Sequence, residues 1–413
     1  MNSDSTKYPY IIPYIGVLIT VILWLAAPIF HPQRLWGIDH LSYFPAIWSL
    51  IYIAVLIILS ILIFGKIRIT ALINIKSGIS IWWKQVPQWL RLILAAIIAL
   101  IVFWLLRDRT KLLGDSFLRI GELGDKGLDR LLNTSAAEPL DYIIHYAIYK
   151  YICLPLSLSS TFCYELVSYL AGLIYLWAAW SIARQLKSEK INFWLTFFYL
   201  LGWGGVFMFF GYAEEYGLAA SALILFTSFV IRYISKGKNI ITVSIVFIIG
   251  FFLHNLLLIL LPSILYMLFI EYKSNRKKAI TILAGTVIPV LIWLVISYAK
   301  KESGAFLLPS SGTEPGYMLW SSAHIIDIIN ELFLICPAIL VMLLLQQRGK
   351  SPTVKSNRLR LVFGLAALSG LVVLVFVDPQ LGMARDCDLY ALPLLSLNIA
   401  LFLGVDWSKA STF

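Results

Sequence analysis

Ten apolar runs near twenty residues long, separated by short polar connections, dominate this chain. They fall at about 10–30, 43–64, 89–106, 162–183, 192–210, 216–234, 279–298, 326–345, 359–377 and 390–405. An α-helix needs about 20 such residues to cross the hydrocarbon core of a bilayer, where every backbone N–H and C=O must be satisfied within the protein. The run from 240 to 270 is interrupted by Gly250, His254, Asn255 and Pro262. Too long for one ordinary span and short for two, it predicts two abbreviated helices meeting near His254. The pattern as a whole predicts about 12 spans.

The expected fold class is therefore all-α: a polytopic transmembrane helical bundle, one integral membrane domain over residues 1–413. Composition excludes an ordinary soluble domain, with 60% hydrophobic and 13% charged residues and a mean hydropathy of +0.85. The first apolar run is too long for a signal-peptide core, lacks a small-residue cleavage site after it, and reads as a retained span. Cys153, Cys163, Cys336 and Cys387 show neither CxxC pairing nor metal-ligand spacing with histidine.

Orientation follows from Lys and Arg placement. With both termini, 65–91, 184–190, 232–238, 271–278 and 348–360 assigned to the cytoplasm, those segments hold 22 of the 33 basic residues and only four acids, Asp4, Glu189, Glu271 and Asp406. The remaining 18 acids, and all five histidines, fall on or near the opposite face. The basic pI of about 9.3 is thereby accounted for by topology, and nucleic acid is not an expected partner.

The longest polar segment, 107–141, lies on that outer face and has helical patterning, with Phe117, Ile120 and Leu123 at i, i+3 and i+6. Gly114-Asp115-Ser116 places a carboxylate where the chain leaves the third span and turns into this helix. Asp115 there is an N-cap or a reactive acid. The next stretch, AAEPLDYIIHYAIYKYI, is amphipathic, with Pro139 in its first turn. Glu138, Asp141, His145 and Tyr149 share one stripe, opposite Ile143, Ile144, Ala147, Ile148 and Ile152. Such a helix lies at the membrane surface, its polar stripe either solvated or part of a site. The outer loop and interfacial helix together occupy about 107–157.

A long span, a Gly-Asp in the first large outer loop, and then Glu-Pro-Leu-x-Tyr opening a surface helix resemble the GT-C superfamily of membrane glycosyltransferases, in particular its mannosyltransferases. The resemblance is strongest over 107–151 and extends over the whole chain as topology and spacing. It departs where Ser116 follows Asp115, relatives often having an acidic pair, and where Asp141 stands in place of a frequent His. The resemblance implies a sugar taken from a polyprenyl-phosphate carrier and transferred to a glycan, lipid or protein acceptor in cell-envelope glycan or glycoconjugate synthesis. It also implies an essential acid in the first outer loop, which places Asp115 as catalytic base. No cofactor and no metal are expected.

Further polar clusters fall on the same face. Glu214 and Glu215, between Tyr212 and Tyr216, are a solvated interfacial pair or donor or acceptor ligands. His254-Asn255 satisfies broken backbone or lines a polar cavity. His324, Asp327 and Glu331 share a stripe at a helix start, where acids suit the dipole whatever the function. The Gly/Ser/Pro-rich loop 299–325 before them is a connection or a lid. In VDPQLGMARDCDLYALPL, Asp386-Cys387-Asp388 is formally a DxD, but it sits on the face without nucleotide sugars, so metal binding is not expected. Arg385, the one basic residue of the last outer loop, meets the lipid phosphate or balances Asp386 and Asp388.

The donor or acceptor set expected from these clusters is Glu138, Asp141, His145, Glu214, Glu215, His254, His324, Arg385, Asp386 and Asp388. The reading is a multi-pass protein of the plasma (inner) membrane with its active site facing outside. The alternative is a secondary transporter with a charged outer vestibule, although such folds place ionisable residues near the midplane.

Overall fold

The computed structural model describes residues 11–30, 34–39, 45–54, 86–112, 114–125, 137–188, 191–237, 239–300, 307–308, 317–346, 354–379, 381–405 and 407. Among them the one strand-like feature is an antiparallel bridge between Leu307 and Val377. The helices are α1 (Ile11–Phe30), α2 (Gln88–Leu105), α3 (Ser116–Asp125), α4 (Pro139–Ile148), α5 (Ser160–Leu186), α6 (Phe193–Leu201), α7 (Tyr216–Lys236), α8 (Ile240–Leu253), α9 (Leu261–Ser274), α10 (Arg276–Lys300), α11 (Ser322–Ile335), α12 (Ile339–Leu345), α13 (Val354–Phe376) and α14 (Cys387–Gly404). A π-helical turn, Tyr149–Cys153, extends α4, and short 3-10 helices occupy Gly204–Phe209 and Asn255–Leu260.

Seven helical segments are long and apolar enough to cross a membrane: α2, α5, α7, Asn255–Ser274, Arg276–Ser297, Asn357–Phe376 and α14. This is the architecture of an integral membrane protein. Among the described residues the count is seven, or eight if α11 and α12 form one broken span bent by 84°. Two of the expected runs are broken for local reasons. Pro337, between α11 and α12, has no N–H to continue a helix. The expected span at 192–210 stops at Leu201 and resumes as a 3-10 turn, where a Cβ on Gly204 would lie 2.0 Å from the Leu334 carbonyl oxygen. Backbone of α11 therefore packs directly on the break. Ile15–Ile29 and Ile240–Leu253 are apolar but shorter. Most of the expected span at 43–64 lies outside the described residues. The break near His254 is as expected: His254 is extended (φ −160) between α8 and the following 3-10 helix.

Two helices form the middle of the bundle. In their most apolar windows 78% of α7 and 72% of α14 is buried, against 6% of α2, which turns Leu92, Ile97 and Ile101 outward. Helices in lipid attract one another by close van der Waals packing, so small residues mark the contacts. Ala171 of α5 meets α7 where a Cβ on Gly217 would lie 3.7 Å from its own, and Ser221 donates 2.6 Å across to the Ala171 carbonyl. On the other side of the core, a Cβ on Gly370 of α13 would come 2.5 Å from the Pro393 carbonyl of α14.

Candidate functional site

The chain leaving α2 folds back over the N-terminal ends of α5 and α7. The Asp108 N–H donates to the Phe210 carbonyl (2.8 Å), and the Lys111 ammonium donates to the Gly211 carbonyl (2.5 Å) while pairing with Glu165 (3.3 Å). These ties press Gly114 onto the protein. A Cβ there would lie 2.7 Å from both Glu214 Oε1 and the Tyr212 hydroxyl, and 2.8 Å from Asp388 Oδ2. With φ at +58 as well, the position accepts glycine alone.

Just beyond, α3 carries Arg119 into a nest of carboxylates. Its guanidinium pairs with Glu138 at 2.7 Å, with Glu214 at 3.7 Å, and closely with Glu215. Burial works against the Arg119 charge, but the three glutamates hold its pKa above the ordinary value. Burial and the Glu215 charge push Glu214 well above the usual carboxylate range. Burial acts on Glu215 too, yet Arg119 outweighs it and keeps that carboxylate below its usual value. The two adjacent carboxyls are thus pushed in opposite directions.

The stripe on α4 is buried rather than solvated. Pro139 starts the helix, and Glu138, Asp141 and His145 are each at most 3% exposed. His145 Nδ1 lies 2.9 Å from Asp141 Oδ2, and the imidazole packs on Tyr164. Burial raises the Asp141 pKa to about 6 against the pull of His145. For His145, burial opposes charge, but the Asp141 carboxylate dominates and raises the pKa. The Asn255 N–H donates to the Ala137 carbonyl (2.8 Å), which brings the broken helix beside α4. There the His254 Nδ1 accepts from the Leu256 N–H (3.1 Å) and the ring stacks on Tyr216. One atom each of Glu138, Glu215 and His254 lies within 4.8 Å of the others. Two carboxylates and an imidazole are a donor set suited to Zn²⁺ or Mn²⁺, a grouping that the sequence reading, which expected no metal, did not foresee. Arg119 already engages one oxygen of each carboxylate.

The last loop closes the cluster. The Tyr212 hydroxyl donates to Asp388 Oδ2 (2.6 Å), Asp386 Oδ2 accepts from the Leu381 N–H (2.9 Å), and Arg385 Nη2 donates to the Gly114 carbonyl (3.2 Å). Burial raises the Asp386 pKa despite the Leu381 N–H. Asp115 is partly exposed and its side chain makes no hydrogen bond or ion pair among the described residues, while its backbone carbonyl accepts from the Arg119 N–H. No family model, curated protein or solved structure matches this chain. The site therefore rests on its own geometry.

That geometry gathers Asp115, Glu138, Asp141, His145, Glu214, Glu215, His254, Arg385, Asp386 and Asp388 at one end of the bundle, and it corrects several sequence expectations. His324 has both ring nitrogens occupied, by the Val375 carbonyl (3.0 Å) and the Tyr317 hydroxyl (3.3 Å), so it braces α11 against α13 instead of facing a ligand. Phe117, expected on the apolar face of α3, is 82% exposed, while Leu123 is buried. Arg385 forms no ion pair with Asp386 or Asp388 among the described residues. Most of the loop 299–325 lies outside the described residues.

The residue that sequence reasoning missed is Arg119. Its signal was present: one cation four residues after Asp115, in a segment that also holds Glu122 and Asp125. Glu331 was read only as a helix-dipole acid, yet it is fully buried and both its oxygens lack a hydrogen-bond partner.

Proposed function

We propose that the chain is a membrane glycosyltransferase that moves a sugar from a polyprenyl-phosphate carrier to an acceptor hydroxyl at its carboxylate-rich end, on the non-cytoplasmic face. One observation carries the reading: a partly exposed, unengaged carboxylate, Asp115, follows directly on the carbonyl held by the exposed Arg385. Other carboxylates of the cluster are tied down, Glu138 and Glu215 by Arg119, Asp141 by His145, and Asp388 by Tyr212.

In the proposed reaction the acceptor oxygen bonds to the anomeric carbon while the bond from that carbon to the phosphate oxygen breaks. The electron pair leaves with the lipid phosphate, and Asp115 takes the acceptor proton as general base. The Arg385 guanidinium, with donors beyond the one given to Gly114, meets the growing phosphate charge. Arg119 holds Glu138 and Glu215 in place beside one another.

The test is transfer from a panel of radiolabelled polyprenyl-phosphate sugars to membrane-extracted acceptors by the reconstituted protein. The expected result is transfer by the parent and a loss on the order of 10²–10⁴ in rate for Asp115→Asn, with unchanged folding. Absence of transfer from every donor, or an Asn variant as active as the parent, overturns the reading.

The transporter reading has one observation in its favour. Glu331, buried without a hydrogen-bond partner in α11, is the kind of intramembrane carboxyl that carries protons in coupled transport. Substrate-dependent proton uptake into vesicles, abolished by Glu331→Gln, would select it.

A further inference from the structure

The opposite ends of α5 and α7 flank an open cavity of about 610 Å³. Arg184, Arg232 and Lys236 line it, with Trp177 and Trp180 on its wall. Its floor is polar and ordered: Ser181 and Ser228 lie 2.9 Å apart, and the Gln185 amide donates to both, at 3.1 and 3.0 Å. None of the three cations makes an ion pair among the described residues. The neighbouring cavity of about 490 Å³ differs, since with Lys273 and Arg358 it contains Glu271, which accepts from Tyr233 and Lys278. There a carboxylate offsets part of the positive charge from within.

Charge and depth identify the ligand class. Two helix C-termini meet here, each equivalent to roughly half a negative charge, so three cations leave an excess of about two positive charges, enough to neutralise the single negative charge of a phosphodiester headgroup. From Glu165 to Arg184 along α5, and from Tyr216 to Lys236 along α7, a rise of 1.5 Å per residue gives roughly 30 Å, the thickness of the hydrocarbon core. The carboxylate cluster and this cavity therefore sit at opposite membrane interfaces. Trp177 and Trp180, 58% and 40% exposed, stand where indole rings settle among lipid headgroups.

We propose that this cavity binds a phosphate group, presented by the headgroup of an anionic membrane phospholipid. The arginines grip the phosphate oxygens in forked geometry, Lys236 adds a point charge, the Ser and Gln floor receives the polar headgroup, and the Trp wall lies along the first methylenes of the tails. The proposal is independent of any transferase activity, because no residue of the carboxylate cluster takes part.

The test uses the full chain in neutral detergent, titrated with short-chain phosphatidylglycerol, short-chain phosphatidylcholine or inorganic phosphate, with bound lipid counted by native mass spectrometry and the melting temperature followed in parallel. The expected result is at least tenfold tighter binding of phosphatidylglycerol than of phosphatidylcholine, with a rise in melting temperature. Arg184→Gln with Arg232→Gln, both at exposed positions, should abolish that preference, and Lys273→Gln, on the neighbouring cavity, should leave it intact. Equal binding of the two lipids, or equal losses in the Lys273 control and the double variant, would overturn the site by reducing it to general surface charge. An equal melting shift with inorganic phosphate alone would overturn the lipid as source and assign free phosphate.

Discussion

Arg385 donates a hydrogen bond of 3.2 Å to the carbonyl of Gly114, joining the loop before α14 to the loop before α3 across 271 residues of sequence. Asp386 and Asp388 are meanwhile satisfied by the Leu381 N–H and the Tyr212 hydroxyl. The charges of the last loop are thus not a mutual brace, and the guanidinium is a latch that keeps its remaining donors exposed beside Asp115.

Arg385→Ala should therefore reduce sugar transfer about tenfold or more, the size of one charged hydrogen bond, and lower the melting temperature only slightly. Arg385→Lys should recover part of the activity, because a point charge replaces a fork. Donor titration separates this from a structural role: a variant with normal donor affinity and early melting would refute contact with the phosphate.

Gly114→Ala should cost far more than its size implies. A non-glycine residue in the left-handed region costs about 1–2 kcal/mol, and the new Cβ would lie within 2.8 Å of the Glu214, Tyr212 and Asp388 oxygens. Thermal unfolding in detergent should show the loss, and activity should fall with it. A neutral Ala variant would show that the loop can move off the cluster.

Arg119→Met removes the shared cation of Glu138, Glu214 and Glu215. Leaving buried charges uncompensated typically costs about 3–5 kcal/mol, so the variant should be expressed poorly or melt early. Adding Glu215→Gln should restore part of the loss, and non-additivity in a double-mutant cycle is the measurement.

Stability should fall as pH rises from about 4 to about 8. Asp141, with its pKa raised to about 6, and His145, also raised, both bind protons more tightly when folded. Each contributes stability that is complete below its unfolded pKa and lost as pH climbs through the folded one, Asp141 between about 4 and about 6 and His145 above about 6.5. Glu214 adds to this slope and Glu215 opposes it. Melting temperatures across this range should show a shallower slope for Asp141→Asn combined with His145→Gln, and an unchanged slope would remove the pair from the account.

Impermeant thiol reagents test the orientation against a quiet background, because Cys153, Cys163, Cys336 and Cys387 are all buried. In intact cells Arg109→Cys should react and Lys236→Cys should not. Equal labelling of both would reverse or abolish the assignment of faces.

The all-helical membrane architecture was legible in the sequence because each span must satisfy its own backbone and face lipid or another helix, and both demands are local. The break at His254 was legible for the same reason, since Gly250, Asn255 and Pro262 interrupt one apolar run. Pro337 was equally local, but it stands inside a run long enough to span, and its consequence depends on the packing of α11 and α12. The candidate residues could be named from their side of the membrane, yet their roles could not. Sequence alone places Arg385 beside Asp386 and Asp388, whereas the fold gives it to Gly114. His324 looks like a ligand in the sequence and becomes a strut once the Val375 carbonyl and the Tyr317 hydroxyl arrive from elsewhere. Arg119 becomes the centre of the site only because α4 and the N-terminal end of α7 bring three glutamates to it. A buried charge is defined by the partners that replace its water, and here those partners lie 19 and 96 residues away in the chain.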